Sequence, residues 1–220
     1  MATYCLFSGF EPDIGFPDAI AQRLRALLSV GFSLAYIAST PDNAEKNDFY
    51  SQTVSGWLEK IDIPCSQISL IDAHIDSAAA IDIINNADAV YLSGGDPFQQ
   101  LKFLHAYALI EPLRRHNGVI MGLSAGMMNM CGTAIYTADE DCPNTHLYEG
   151  IGLVGITVEP HFSKDNEALL QRDLFPHAKD RDIYCLCDDA AIIVQDARIE
   201  CIGEAYIARM GQISPIADNP

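Results

Sequence analysis

A serine set between two glycines, Gly122-Leu123-Ser124-Ala125-Gly126, follows the apolar run Gly118–Met121 and precedes a stretch of helical character. That order of strand, sharp turn and helix is a nucleophile elbow, which presents a hydroxyl for attack on an acyl carbon. The turn strains the serine backbone, and the glycines leave room for strand and helix to cross closely. The helix that follows directs its free amides at the same point, where negative charge develops on a substrate oxygen. A second glycine turn, Ser93-Gly94-Gly95-Asp96-Pro97, follows the apolar run Ala89–Leu92. Strand ends in open parallel sheets converge on one crevice, so the two turns are expected to face each other. The amides of Gly95 and Ala125 are then the expected oxyanion hole, since Pro97 has no amide to donate.

A serine hydroxyl is a weak nucleophile until an imidazole removes its proton. His161 is the best placed of the six histidines, because the apolar run Val154–Val158 stops at Pro160 and delivers the next residue to the end of a strand. His74, His105 and His116 read as surface residues of loops or helix faces, and His146 and His177 lie in polar connections. The imidazole needs a carboxylate to fix its tautomer. Asp139, within Tyr136–Asp141, and Asp188, within Cys187–Ala190, both qualify, and residue pattern alone leaves the two open. No His-x-x-x-His pair or compact Cys/His cluster occurs, so no metal or other cofactor is expected.

To hold such residues the chain needs parallel strands alternating with helices. Strands are expected at Tyr4–Ser8, Ser33–Ala38, Gln67–Ile71, Ala89–Leu92 and Val119–Met121, mostly as continuous apolar runs with both faces covered. Helices are expected at Asp18–Leu28, Pro41–Glu59 and Phe98–Arg115, with Trp57 and Leu58 in the core. The last third changes character. Ile183–Leu186, Ala191–Gln195, Ile199–Ile202 and Ala205–Ala208 read as hairpin strands at one sheet edge. The whole is an α/β fold in three layers around a mostly parallel sheet.

Composition narrows the function. A chain of 220 residues, 49% hydrophobic, suffices for one core, and one domain over residues 1–220 is expected. Thirty acidic against thirteen basic side chains give a net charge of −17, which disfavours nucleic acid and anionic membranes as partners. Seven cysteines without a CxxC pair fit reduced thiols and a cytoplasmic location. There is no basic segment followed by a long apolar run, so neither a signal peptide nor a membrane span is expected. A monomer or homodimer is expected.

With Ser-Gly-Gly-Asp-Pro-Phe at 93–98, Gly-Leu-Ser-Ala-Gly at 122–126 and Pro-His-Phe at 160–162, the chain resembles the dipeptidase E and cyanophycinase family of serine peptidases. The resemblance spans nearly the whole chain and implies a class I glutamine amidotransferase-like (flavodoxin-like) fold, with a serine where those enzymes have cysteine. It implies that Ser124, His161 and Asp139 occupy the positions of the family's essential Ser, His and Asp, and that Asp188 stands where a carboxylate supports the histidine. The substrate it implies is a dipeptide or short peptide. The chain departs from the dipeptidase E pattern Gly-Gly-Gly-Asn-Thr-Phe at Ser93, Asp96 and Pro97, and Glu167 falls near the family's aspartate-binding arginine. Asp96 and Glu167 are therefore expected to bind substrate, favouring a free N-terminus and a neutral or basic first residue unless Lys164 or Arg172 restores a preference for acid. Two rivals stand beside this reading: an esterase of the α/β-hydrolase class, and a non-catalytic amidotransferase-like binding protein that keeps the elbow as architecture.

Overall fold

Continuous apolar runs form parallel strands when helices cover both faces of the sheet, because successive side chains point to opposite sides. The computed structural model describes residues 2–138, 143–196 and 198–216 and realises this arrangement. In its first half β1 (Thr3–Phe7), β2 (Ser33–Ile37), β3 (Gln67–Ile71), β4 (Ala89–Leu92) and β5 (Val119–Leu123) alternate with α1 (Asp18–Leu27), α2 (Ala44–Lys60), α3 (Ser77–Asn86), α4 (Pro97–Ala106) and α5 (Ile110–Arg115). Then come α6 (Ala125–Met130), the hairpin β6 (Thr133–Tyr136) and β7 (His146–Glu149), and β8 (Thr157–Glu159). The chain closes with β9 (Ile183–Leu186), β10 (Ala191–Gln195), β11 (Arg198–Ile202), β12 (Ala205–Arg209) and β13 (Gln212–Pro215).

The main sheet has seven strands in the order β11-β10-β1-β5-β4-β2-β3. Strands β1 to β5 pair in parallel, while β10 joins β1 antiparallel and β11 follows at the edge. Alternation divides the core in two. Leu6, Val90, Leu92 and Ile120 pack with residues of α3 to α6 on one face, whereas Cys5, Phe7, Tyr91 and Met121 pack with α1 and α2 on the other. Three layers result, as the residue pattern predicts.

Some elements differ from expectation. Phe98–Arg115 is not one helix: α4 ends at Ala106 and α5 starts at Ile110, with Ala108 at φ 55 between them. The late hairpins do not share one sheet edge. Strands β10 and β11 extend the main sheet, while β9, β12 and β13 join β8 in a separate four-stranded sheet. The run Val154–Val158 becomes a strand only from Thr157, and Val154 makes an isolated bridge to Cys131. Helix α3, capped by Asp76 through the amide of Ala79, has no counterpart among the expected helices.

Candidate active site

The C-terminal ends of β1, β4 and β5 meet where the parallel sheet changes direction, the place where open α/β sheets build their crevices. Ser124 leaves β5 with φ 48 and ψ −108, a backbone conformation that costs a non-glycine residue about 1–3 kcal/mol. Close packing makes the turn possible. A Cβ at Gly126 would collide with the backbone carbonyl of Leu92, so the elbow has room only for glycine there. His161 has φ 52 and Asp189 φ 63, which places three of the seven described non-glycine residues of positive φ in or beside this site.

These conformations bring Ser124, His161 and Asp188 into one hydrogen-bonded line. Nε2 of His161 lies 2.9 Å from Ser124 Oγ, and Nδ1 lies 2.7 Å from Asp188 Oδ1. A carboxylate only accepts, so Nδ1 carries the proton and Nε2 is left to accept from the serine hydroxyl. Of the two carboxylates expected to orient the imidazole, the structure brings Asp188 to it; Asp139 lies outside the described residues. The side chains of His161 and Asp188 are 51% and 63% exposed, so screening weakens the electrostatic part of their pairing, while the hydrogen bond fixes the ring's orientation.

One tripeptide anchors all three. The carbonyl of Phe7 accepts from the Ser124 amide (2.9 Å), and that of Gly9 accepts from the amide of Asp189 (2.8 Å), next to Asp188. Between them the Ser8 hydroxyl accepts from the His161 amide (2.7 Å), donates to the carbonyl of Leu186 (3.0 Å) and lies 3.4 Å from Asp188 Oδ1. Sequence reasoning missed Ser8. Its only signal is a polar residue at the end of an apolar strand.

Gly95 and Ala125 both line the cavity at Ser124, and neither amide donates to a described residue. Gly95 has φ +134, which glycine alone adopts without strain, and a Cβ there would strike the Ser39 hydroxyl. The Ser39 hydroxyl also donates to the Gly94 carbonyl (2.5 Å), fixing the turn. Two amides without a described acceptor therefore stand beside Ser124.

That cavity measures about 340 Å³ and takes in Tyr136, Thr137, Glu159 and Asn166. Asp96, expected to bind substrate, points its carboxylate elsewhere. As N-cap of α4 it accepts from the amides of Phe98 (2.9 Å) and Gln99 (3.0 Å) and from the Gln99 side chain (2.8 Å). Glu167 is exposed and does not line the cavity, although Asn166 and Leu169 do. No lysine or arginine among the described residues lines it either. Arg172 is held on Asp173 at 2.7–3.0 Å, and Lys164 pairs with Glu204 at 3.7 Å.

The acid that does line the cavity is Glu159, which is 4% exposed. Sequence reasoning missed Glu159; its signal is a carboxylate closing an apolar strand two residues before the histidine. Thr137 Oγ1 donates to Glu159 Oε1 at 2.7 Å. Burial pushes the carboxyl up to about 8, with the Thr137 hydrogen bond opposing the rise and the charge of Asp173 adding to it. Burial also pushes Asp173 upward, but hydrogen bonds from Arg172 and Thr145 outweigh it and hold that carboxyl below the usual range.

A carboxyl raised in the folded state binds its proton more tightly there than in the unfolded chain. Its stabilising contribution is complete below about pH 4.5 and is lost as pH rises through about 8. Wild-type protein is therefore expected to lose stability relative to Glu159→Gln between pH 5 and 9, by roughly 3–5 kcal/mol. Urea unfolding of both proteins across that range measures the difference, and parallel curves would show that Glu159 does not titrate as a buried acid.

Comparison with known proteins now bears on this geometry. The model of peptidase family S51 matches residues 18–202. Peptidase E of Nostoc sp. (strain PCC 7120) is 25% identical over 198 residues, covering 83% of this chain and 79% of the relative. Peptidase E of Shigella flexneri serotype 5b is 26% identical over 148 residues, covering 66% of this chain and 59% of the relative. Among solved structures, a peptidase from an acI-B1 Actinobacterium superposes with a TM-score of 0.71 at 16% identity, covering 100% of this chain and 96% of the other. A Listeria monocytogenes EGD-e protein, described as a candidate Peptidase E, gives 0.67 at 20% identity, covering 92% of this chain and 98% of the other. Those two likenesses concern the fold.

Proposed function

The chain belongs to peptidase family S51 and is a serine-type peptidase, and from that premise we propose that it hydrolyses dipeptides or short peptides with Ser124 as nucleophile, His161 as base and Asp188 as orienter. One observation carries the reading: the hydrogen-bonded line from Ser124 Oγ through the His161 ring to Asp188 Oδ1. In the first step Ser124 Oγ attacks the peptide carbonyl and His161 Nε2 takes the hydroxyl proton. The amides of Gly95 and Ala125 receive the developing oxyanion, and the C–N bond breaks as His161 returns the proton to the leaving amine. Water, activated by the same imidazole, then releases the acyl group. Asp139 remains a proposed contributor to the shape of the site.

Charge supports the choice of peptide. The first cavity holds the buried Glu159 in its wall, and no lysine or arginine among the described residues lines it. An ammonium group is favoured there and a carboxylate repelled. Burial pushes the Glu159 carboxyl up to about 8, so giving up its proton near neutral pH to face an ammonium costs little. A free N-terminus and a neutral or basic first residue follow. Ala-Leu and Lys-Leu are expected to exceed Asp-Leu in kcat/KM by about 10-fold, with N-acetylated forms poor substrates. A preference for Asp-Leu would overturn the substrate reading. The mechanism has its own test: a phosphonate probe should label Ser124 in wild type and fail to label it in His161→Ala, and equal labelling of both would remove His161 as the activating base.

A further inference from the structure

Ser124 stands between two cavities. Gly95, Ser124 and His161 line both, but the second, of about 240 Å³, opens toward the other face of the sheet. Met128 of the first cavity packs in the core with α4 and α6, whereas Tyr36, Tyr91 and Trp57 of the second pack in the core with α1 and α2. Its outer wall is one stripe of α2: Lys46, Tyr50, Thr53, Val54 and Trp57 recur at i, i+4, i+7, i+8 and i+11. Its floor is the pair Tyr36 and Tyr91, whose rings stack 5.6 Å apart and 8° from parallel.

We propose that this second cavity is the subsite for the residue released by cleavage, that it takes an aromatic or bulky apolar side chain, and that Lys46 receives the terminal carboxylate when that residue ends the peptide. The inference rests on the reading of Ser124 as nucleophile. Size permits it, since an apolar cavity of about 150 Å³ already holds benzene. Charge sets the direction. A dipeptide carries an ammonium at one end and a carboxylate at the other; among the described residues no lysine or arginine lines the first cavity, and Lys46 is the only one lining the second. The Lys46 ammonium makes no ion pair with a described residue. The same direction fits the chemistry. Ala125, the expected oxyanion donor next to the serine, lines only the first cavity, so the acyl part lies there. The nitrogen that leaves with the His161 proton then belongs to the residue in the second.

Trp57 is the chain's only tryptophan and sits in the wall of this cavity, so its emission reports occupancy without turnover. The Ser124→Ala protein is titrated with L-phenylalanine, L-phenylalaninamide and glycine. A saturable change with phenylalanine is expected, about 10-fold weaker binding of the amide, and no response to glycine. Thr53→Phe, which fills the cavity from the half-buried face of α2, should abolish the response. Lys46→Gln, at an exposed position, should keep the response but erase the difference between acid and amide. In the wild-type enzyme Ala-Phe should exceed Ala-Gly in kcat/KM by about 10- to 100-fold. No saturable response to phenylalanine, a response unchanged in Thr53→Phe, or an acid-to-amide difference that survives Lys46→Gln would overturn the assignment. None of the fluorescence outcomes depends on catalysis, so this failure is distinct from a failure of probe labelling at Ser124.

Discussion

Ser124→Ala is expected to lower kcat for short peptides by at least about 10³-fold and by as much as about 10⁶-fold, with the fold intact. The substitution removes the atom proposed to attack and leaves the turn in place. Alanine has the same backbone preferences as serine at φ 48, and the Ser124 amide keeps its bond to the Phe7 carbonyl. Residual hydrolysis would come from the free amides of Gly95 and Ala125 and from binding alone. Turnover and circular dichroism of the purified variant decide it: a folded Ser124→Ala protein with near-wild-type activity would take the serine out of the mechanism.

Asp188→Asn is expected to cost about 10²- to 10⁴-fold in kcat/KM. Asparagine fits the same space, but its amide can donate to Nδ1 and so stabilise the tautomer that puts the proton on Nε2, where the serine needs an acceptor. Asp189→Asn supplies the control. Its neighbouring carboxylate is not bonded to His161, its backbone amide still reaches the Gly9 carbonyl, and asparagine tolerates its φ of 63, so a change of less than about 3-fold is expected. Equal losses in the two variants would place the orienting acid elsewhere. Asp139→Asn then becomes the informative measurement.

Most strands were legible as short runs rich in apolar and β-branched residues: Gln67–Ile71, Ala89–Leu92, Ile183–Leu186 and Ala191–Gln195 coincide with the observed β3, β4, β9 and β10. The break between α4 and α5 has its signal in Pro112, which has no amide to give the carbonyl of Ala108 four residues earlier and whose ring would clash with it in a continuous helix; the chain breaks there, with Ala108 in a left-handed conformation. Which hairpin strands joined which sheet was hidden, because pairing partners are a matter of long-range register. At the site, Ser124 and His161 could be read from local context, each following its own strand. The choice between Asp139 and Asp188 could not, because it depends on where a distant turn comes to rest. Asp96 illustrates a further limit. A carboxylate immediately before Pro97 can face a ligand or cap the helix that starts there, and the observed cap uses the lone pairs that a substrate would have needed. Glu159 was overlooked for the converse reason: an apolar run disguises a buried acid as part of a strand.

The tripeptide Phe7-Ser8-Gly9 gives the site a history as well as a geometry. Its bonds join the start of the chain to partners 153 and 180 residues further on, as between Ser8 and the residues His161 and Asp188. Contacts of such separation close late in folding, after the intervening strands and helices have shortened the path between them. On the proposed mechanism, a chain on the ribosome that has not yet released Asp188 carries an elbow without an oriented base. Peptide hydrolysis is then expected only after these distant segments have met.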